Sequence, residues 1–193
     1  MSCVIACDDG FVSKIGTSKR NFTLVGCILY KDLIPLDISF SILRIDGLDA
    51  SSIISGLAIS LIDNRKECIT EKPIILLDTI IFAGFNIVSI YLVKTLTGME
   101  VIAFYPYKPN IDVLIETVIK HLNFPHLRSN LIKNQLEKIV ELNTNKGTIY
   151  TVSTINNASL VKQITEFYQV YTKLLEPLRT AHMITSSISR LFL

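Results

Sequence analysis

Uninterrupted apolar runs and helically spaced ones alternate along the chain, and their order predicts the fold. "VIACD" at 4–8, "FTLVGCILY" at 22–30 and "LIPLDISFSILRID" at 33–46 read as three strands. Only Lys31 and Asp32 separate the second from the third, which demands a hairpin. The link between the first and second is also short and polar, so three antiparallel strands open the chain. The period then changes. "DASSIISGLAISLIDN" at 49–64 carries cap residues Asp49 and Ser51, then Ile53, Ile54, Leu57 and Leu61 at helical spacing. "PIILLD" at 73–78 is a fourth strand and "MEVIAFYPY" at 99–107 a fifth. The helix predicted between them runs 86–98, from a capping Asn86 to Gly98. The helix at 110–122 has Ile111, Leu114, Ile115, Val118, Ile119 and Leu122 on one face. A helix near 127–137, a hairpin over 138–153 and two helices near 158–172 and 177–191 close the chain.

This order predicts an α/β ribonuclease H-like fold: a mixed five-stranded sheet, three antiparallel strands followed by βαβ, flanked by helices, with a C-terminal hairpin and helices. We read residues 1–193 as one domain of this ribonuclease H-like kind. Right-handed crossovers place the first, fourth and fifth strands side by side, and such sheets bind ligands at the carboxyl ends of their parallel strands.

Those ends carry acid. The first strand stops on Asp8 and the fourth on Asp78, and neighbouring strands lie about 4.8 Å apart. Clustered carboxylates repel unless a cation sits among them, and an all-oxygen set suits Mg²⁺ or Mn²⁺. Asp46 or Asp49, at the start of the first helix, is the candidate third ligand. Asp9 alternates to the other face of its strand, so it is expected to point away or to anchor the loop. Solvated strand ends and ordinary helix caps remain the plain reading of the same residues.

Charge and composition narrow the rest. The formal net charge is only +2, so phosphate contacts must come from a local cluster. Lys14, Lys19 and Arg20, in the link after the first strand, are that cluster. Phe82, Gly84 and Phe85 follow Asp78 and are candidates for a base pocket, with Gly84 permitting close backbone approach. Four cysteines without a Cys-x-x-Cys pair exclude a usual zinc site. Cys7 and Cys27 read as small buried hydrophobes in a reducing compartment, which points to a cytoplasmic protein. No apolar stretch is long enough to span a membrane, no signal peptide is evident, and no obligate protein partner is implied. His182, alone in the last helix, is assigned no chemistry.

"ACDDG", "RIDGLDAS", "LLDTIIFAGFN", "YKPN" and "EPLRTAHMI" resemble the archaeal endonuclease dU family, a relative of endonuclease V, over almost the whole chain. The resemblance implies a Mg²⁺-dependent nuclease acting on DNA with deaminated bases, deoxyuridine in particular. It places Asp8 and Asp78 at the acids ending the first and fourth strands, and Lys108 at an active-site lysine. The alternatives are a non-catalytic ribonuclease H-like module that binds nucleic acid or protein, and a haloacid dehalogenase-like phosphatase. The latter needs two Asp separated by one residue, whereas Asp8 and Asp9 are adjacent.

Overall fold

The computed structural model describes residues 3–10, 21–63, 65, 68 and 72–192. β1 (Val4–Asp9), β2 (Phe22–Lys31) and β3 (Ile34–Arg44) form the antiparallel start. Helix α1 (Ala50–Ile62) leads to β4 (Ile74–Leu77), and a small hairpin of β5 (Ile81–Phe82) and β6 (Asn86–Ile87) leads to α2 (Ile90–Thr97) and β7 (Val101–Tyr105). Then come α3 (Ile111–His121), α4 (Pro125–Leu136), β8 (Val140–Thr144), β9 (Gly147–Ser153), α5 (Ala158–Tyr168) and α6 (Glu176–Phe192).

The sheet has seven strands in the order β3-β2-β1-β4-β7-β9-β8. β1, β4 and β7 are parallel and lie in the middle. The expected five-stranded sheet is therefore extended, because the C-terminal hairpin pairs with the free edge of β7 through β9. That pairing satisfies a row of backbone groups that the fifth strand would otherwise leave open.

Strand alternation divides the core into two layers. Cys3, Ile5 and Cys7 face Ile54, Leu57, Ile90, Val93 and Val118, so α1 to α3 cover one side. Val4 and Ala6 face Val161, Ile164, Leu178 and Ala181, so α5 and α6 cover the other.

Two local expectations are corrected. The helix before β7 starts at Ile90, not at Asn86, and its cap is Ser89, whose side chain accepts from Leu92 N. Asn86 is fully buried: its amide oxygen accepts from Ala50 N at 3.0 Å and its amide nitrogen donates to Arg44 O at 2.9 Å. It thus caps α1 from a distant hairpin, and Asp49, at the cap position, makes no side-chain cap bond of its own.

The cysteines are not free. Cys7 bonds to Cys27, its partner in the β1–β2 register, with Cα atoms 4.1 Å apart. Cys3 bonds to Cys68 across a separation of 65 residues. The reading of reduced thiols is overturned, and the argument for a reducing compartment that rested on it falls. Among the described residues no helix is long and apolar enough to cross a membrane. A bridge closing so long a loop restricts the unfolded chain strongly. Replacing Cys3 and Cys68 together with alanine is expected to lower unfolding free energy by about 2–4 kcal/mol in urea titrations. An unchanged midpoint would mean that the bridge adds nothing.

Candidate active site

The register Cys7↔Leu77 sets Asp8 and Asp78 at the same level, one residue past the last paired positions of two adjacent parallel strands. Both strands arrive as buried apolar runs, so the acids stand where the core ends. Asp8 is only 4% exposed. Burial first, and the charge of Asp8 second, push Asp78 up to about 6. Asp9 is pushed up to about 7 by burial and then by Asp8, although Ala83 N donates to its carboxylate at 2.8 Å. Asp9 therefore anchors the loop that follows β5, and its charge is still felt beside the other two.

A histidine reaches this edge from the far end of the chain. His182 Nδ1 donates to Asp8 Oδ2 at 2.7 Å, while the outer side of the ring faces solvent. The bond to Asp8 raises the imidazole above its ordinary range. Position 26 explains how α6 comes close enough. Gly26 sits opposite Asp8 in the β1–β2 register, and a Cβ there would run into Thr185 Oγ1 and the Phe40 ring. Gly10 likewise abuts Ser189, where an added Cβ would lie 2.6 Å from the serine Cβ. Thr185 and Ser189 are buried one and two turns beyond His182, so the two glycines let the helix lie directly on the sheet. Sequence reasoning passed over His182 because a lone helical histidine has no local signature. The available signals were its place within "EPLRTAHMI" and its spacing from the inward-facing Leu178 and Thr185.

The candidate third ligands have other partners. Asp46 Oδ1 accepts from Phe85 N at 2.8 Å, and Asp46 N donates to Ala83 O at 2.9 Å. Asp49 accepts from Asn86 Nδ2 at 2.5 Å. In this conformation both acids brace the loop after β3 against the β5–β6 hairpin. Among the described residues no group of three or more acid, histidine or cysteine side chains forms a metal cage. Two carboxylates without a third still fit Mg²⁺, which keeps several waters and takes its remaining ligands from substrate phosphate. They do not fit a structural zinc site, which needs four protein ligands.

Phe82 is 1% exposed and packs in the core, so the expectation that it lines an open pocket is corrected. Its side chain alternates inward from β5. Phe85 is half-buried against the same core, and Gly84 is exposed with φ 79°. A Cβ at Gly84 would collide with Asp46 Oδ1. Lys108 is exposed in the loop after β7, at the same edge of the sheet as Asp78. Beside it Lys173 Nζ donates to Pro106 O at 2.6 Å and lies 4.1 Å over the Tyr107 ring. Tyr105 is buried, and its hydroxyl accepts from Ile80 N at 3.0 Å, which supports the loop after Asp78. Lys14, Lys19 and Arg20 lie outside the described residues.

Solved structures define the class to which this fold belongs. Endonuclease V from Ciona intestinalis, in complex with a 23mer DNA containing an inosine followed by a ribo-adenosine, matches with TM-score 0.61 at 12% identity, covering 100% of this chain and 87% of that one. A protein of unknown function from Archaeoglobus fulgidus DSM 4304 matches with TM-score 0.78 at 20% identity over 97% and 98% of the two chains. The fold is ribonuclease H-like, of the endonuclease V type. At the sequence level, a UPF0215 protein of Aeropyrum pernix is 34% identical over 189 residues, 96% of this chain and 97% of the relative. The family model for endonuclease dU matches residues 2–189, and the chain belongs to that family.

Proposed function

We propose that the protein is a divalent-metal-dependent endonuclease that cuts DNA at deaminated bases, with deoxyuridine as its substrate base, in DNA repair. The observation that carries this reading is the pair Asp8 and Asp78: a buried acid and a half-buried one at adjacent strand ends, where burial and the charge of Asp8 raise the cost of ionising Asp78. A fold gains nothing from such a pair unless a cation or a proton compensates it. Membership of the endonuclease dU family and the endonuclease V-type fold support the same chemistry.

Asp8 and Asp78 would hold Mg²⁺ or Mn²⁺, which when bound supplies an activated water and positive charge beside the phosphoryl oxygens. His182 fixes the rotamer of Asp8 through its Nδ1 bond, and its exposed ring is open to a proton or a phosphate oxygen. Lys108 contributes a mobile cation for the phosphate beside the cut. Asp9 holds Ala83, and with it the loop carrying Gly84 and Phe85, against the site.

Labelled oligonucleotides carrying deoxyuridine, deoxyinosine or no lesion test the reading, with Mg²⁺, with Mn²⁺ and with chelator. Cleavage of the deoxyuridine strand that stops on chelation is expected. A folded protein that leaves every lesion strand intact in either metal would remove the nuclease reading. Cutting at inosine alone would move the substrate base.

A further inference from the structure

Four described non-glycine residues have positive φ, and three of them lie in segments that one guanidinium ties together. Asp46 (54°), Ala83 (43°) and Phe124 (56°) belong to three separate segments; the fourth, Asp32, sits in the β2–β3 turn. Arg128 is 2% exposed and its donors bind four carbonyls. Nε donates to Asn123 O at 2.8 Å, Nη1 to Gly47 O at 3.0 Å and Phe85 O at 2.5 Å, and Nη2 to Asp46 O at 2.5 Å. The planar fork suits such a task. It ties together the loop after β3, the β5–β6 turn and the α3–α4 link. From Asp46 the bonding continues through its N to Ala83 O, and from Ala83 N to Asp9 at the acidic edge.

Phe124 is the anomaly in this cluster. A left-handed backbone suits glycine or asparagine, and a bulky residue there is an outlier. Pro125 follows it, which further restricts its backbone. A phenylalanine tolerated for packing would be buried, yet this one is 65% exposed. Leu127, in the first turn of α4, and Leu48, next to the Gly47 that Arg128 binds, are also exposed, and Phe85 is half-buried. Through Asn123 O the Arg128 clamp fixes the segment in which an exposed aromatic residue keeps a backbone conformation it does not prefer. Strain of this kind persists where the surrounding structure over-determines it, and it clusters at functional positions.

We propose that Phe124 is a stacking residue for an unpaired nucleobase of the substrate strand, either the extruded base or its neighbour. The proposal rests on the nuclease reading and adds a specificity contact to the same edge. Enzymes that act at single bases take them out of the stack, and an aromatic face receives any base without needing hydrogen bonds. The clamp sets the distance between this platform and the acids, because Phe85, Asp46 and the Phe124 segment share one guanidinium.

Binding in the full-length Asp78→Asn background, where cleavage is silenced, provides the test. The probe is a deoxyuridine oligonucleotide, single-stranded or in duplex, with 2-aminopurine next to the lesion. Phe124→Gly is expected to weaken binding about ten-fold and to abolish the 2-aminopurine quenching. Its thermal midpoint should stay level or rise, since glycine relaxes the backbone. Phe124→Trp should retain both affinity and quenching. Unchanged affinity and quenching in Phe124→Gly would overturn the proposal, and so would loss of binding in step with a lowered midpoint, the mark of a structural role. If wild type cleaves while Phe124→Gly binds as its parent does, stacking fails and the nuclease reading stands. If no oligonucleotide binds the parent, both fall.

Discussion

Replacing Asp78 with asparagine should slow cleavage at least about 100-fold, since it removes a charged group from a charge-stabilising site. The same change should make the metal-free protein more stable at pH 8. Burial and the neighbouring Asp8 hold Asp78 up to about 6 in the folded state, against about 3.9 when unfolded. The folded protein therefore keeps a proton that the unfolded chain has already released. Stability declines as pH rises from about 4 through about 6, and the full penalty is present above that range. Asparagine carries no such penalty, so a gain on the order of 1–3 kcal/mol at pH 8 is expected, shrinking towards zero near pH 4. Thermal unfolding with chelator at a series of pH values measures it. A variant that is less stable than wild type at pH 8 would show that the two acids do not repel as their positions imply. Full cleavage by a folded variant would remove Asp78 from the site. Activity and stability thus move in opposite directions at one residue, as expected where a site stores unfavourable electrostatics.

Arg128→Met should cost about 3–5 kcal/mol, the loss typical of breaking a buried charged network. Methionine fills similar space but leaves the carbonyls of Asp46, Gly47, Phe85 and Asn123 without the guanidinium donors. Each buried acceptor left unpaired adds a desolvation penalty of about 1–3 kcal/mol. Arg128→Lys should recover only part, because an ammonium has three donors and no planar fork to span three segments. Urea unfolding measures the stability, and the cleavage assay measures whether the β5–β6 turn keeps its place beside Asp9. A loss below about 1 kcal/mol with unchanged cleavage would mean that Arg128 is not the element holding these loops together.

The acids that end β1 and β4 were legible from the sequence because the signal is local. "VIACD" and "IILLD" are continuous apolar runs, and the right-handed crossover rule makes the strands that carry them neighbours. The helix α3 was legible for the same reason, from its apolar spacing. Asn86 was misplaced as a helix start because an asparagine before an apolar run has that signature, whereas its partners, Ala50 and Arg44, lie 36 and 42 residues away. The cysteines were read one at a time, and only the β1–β2 register sets Cys7 against Cys27.

The amino-acid sequence alone determined the order of the main-sheet strands and of the helices, though not the small β5–β6 hairpin, and the edge at which the acids stand, because hydrophobic period and crossover handedness act over short spans. What meets those acids was decided by tertiary structure. His182 reaches Asp8 from 174 residues away only because Gly26 and Gly10 leave room for α6 on the sheet. Arg128 reaches Asp46 from 82 residues away only because α4 packs beside the β5–β6 hairpin. Neither residue has a pattern around it that announces a partner, since a single polar side chain acquires its role from the groups that folding brings to it.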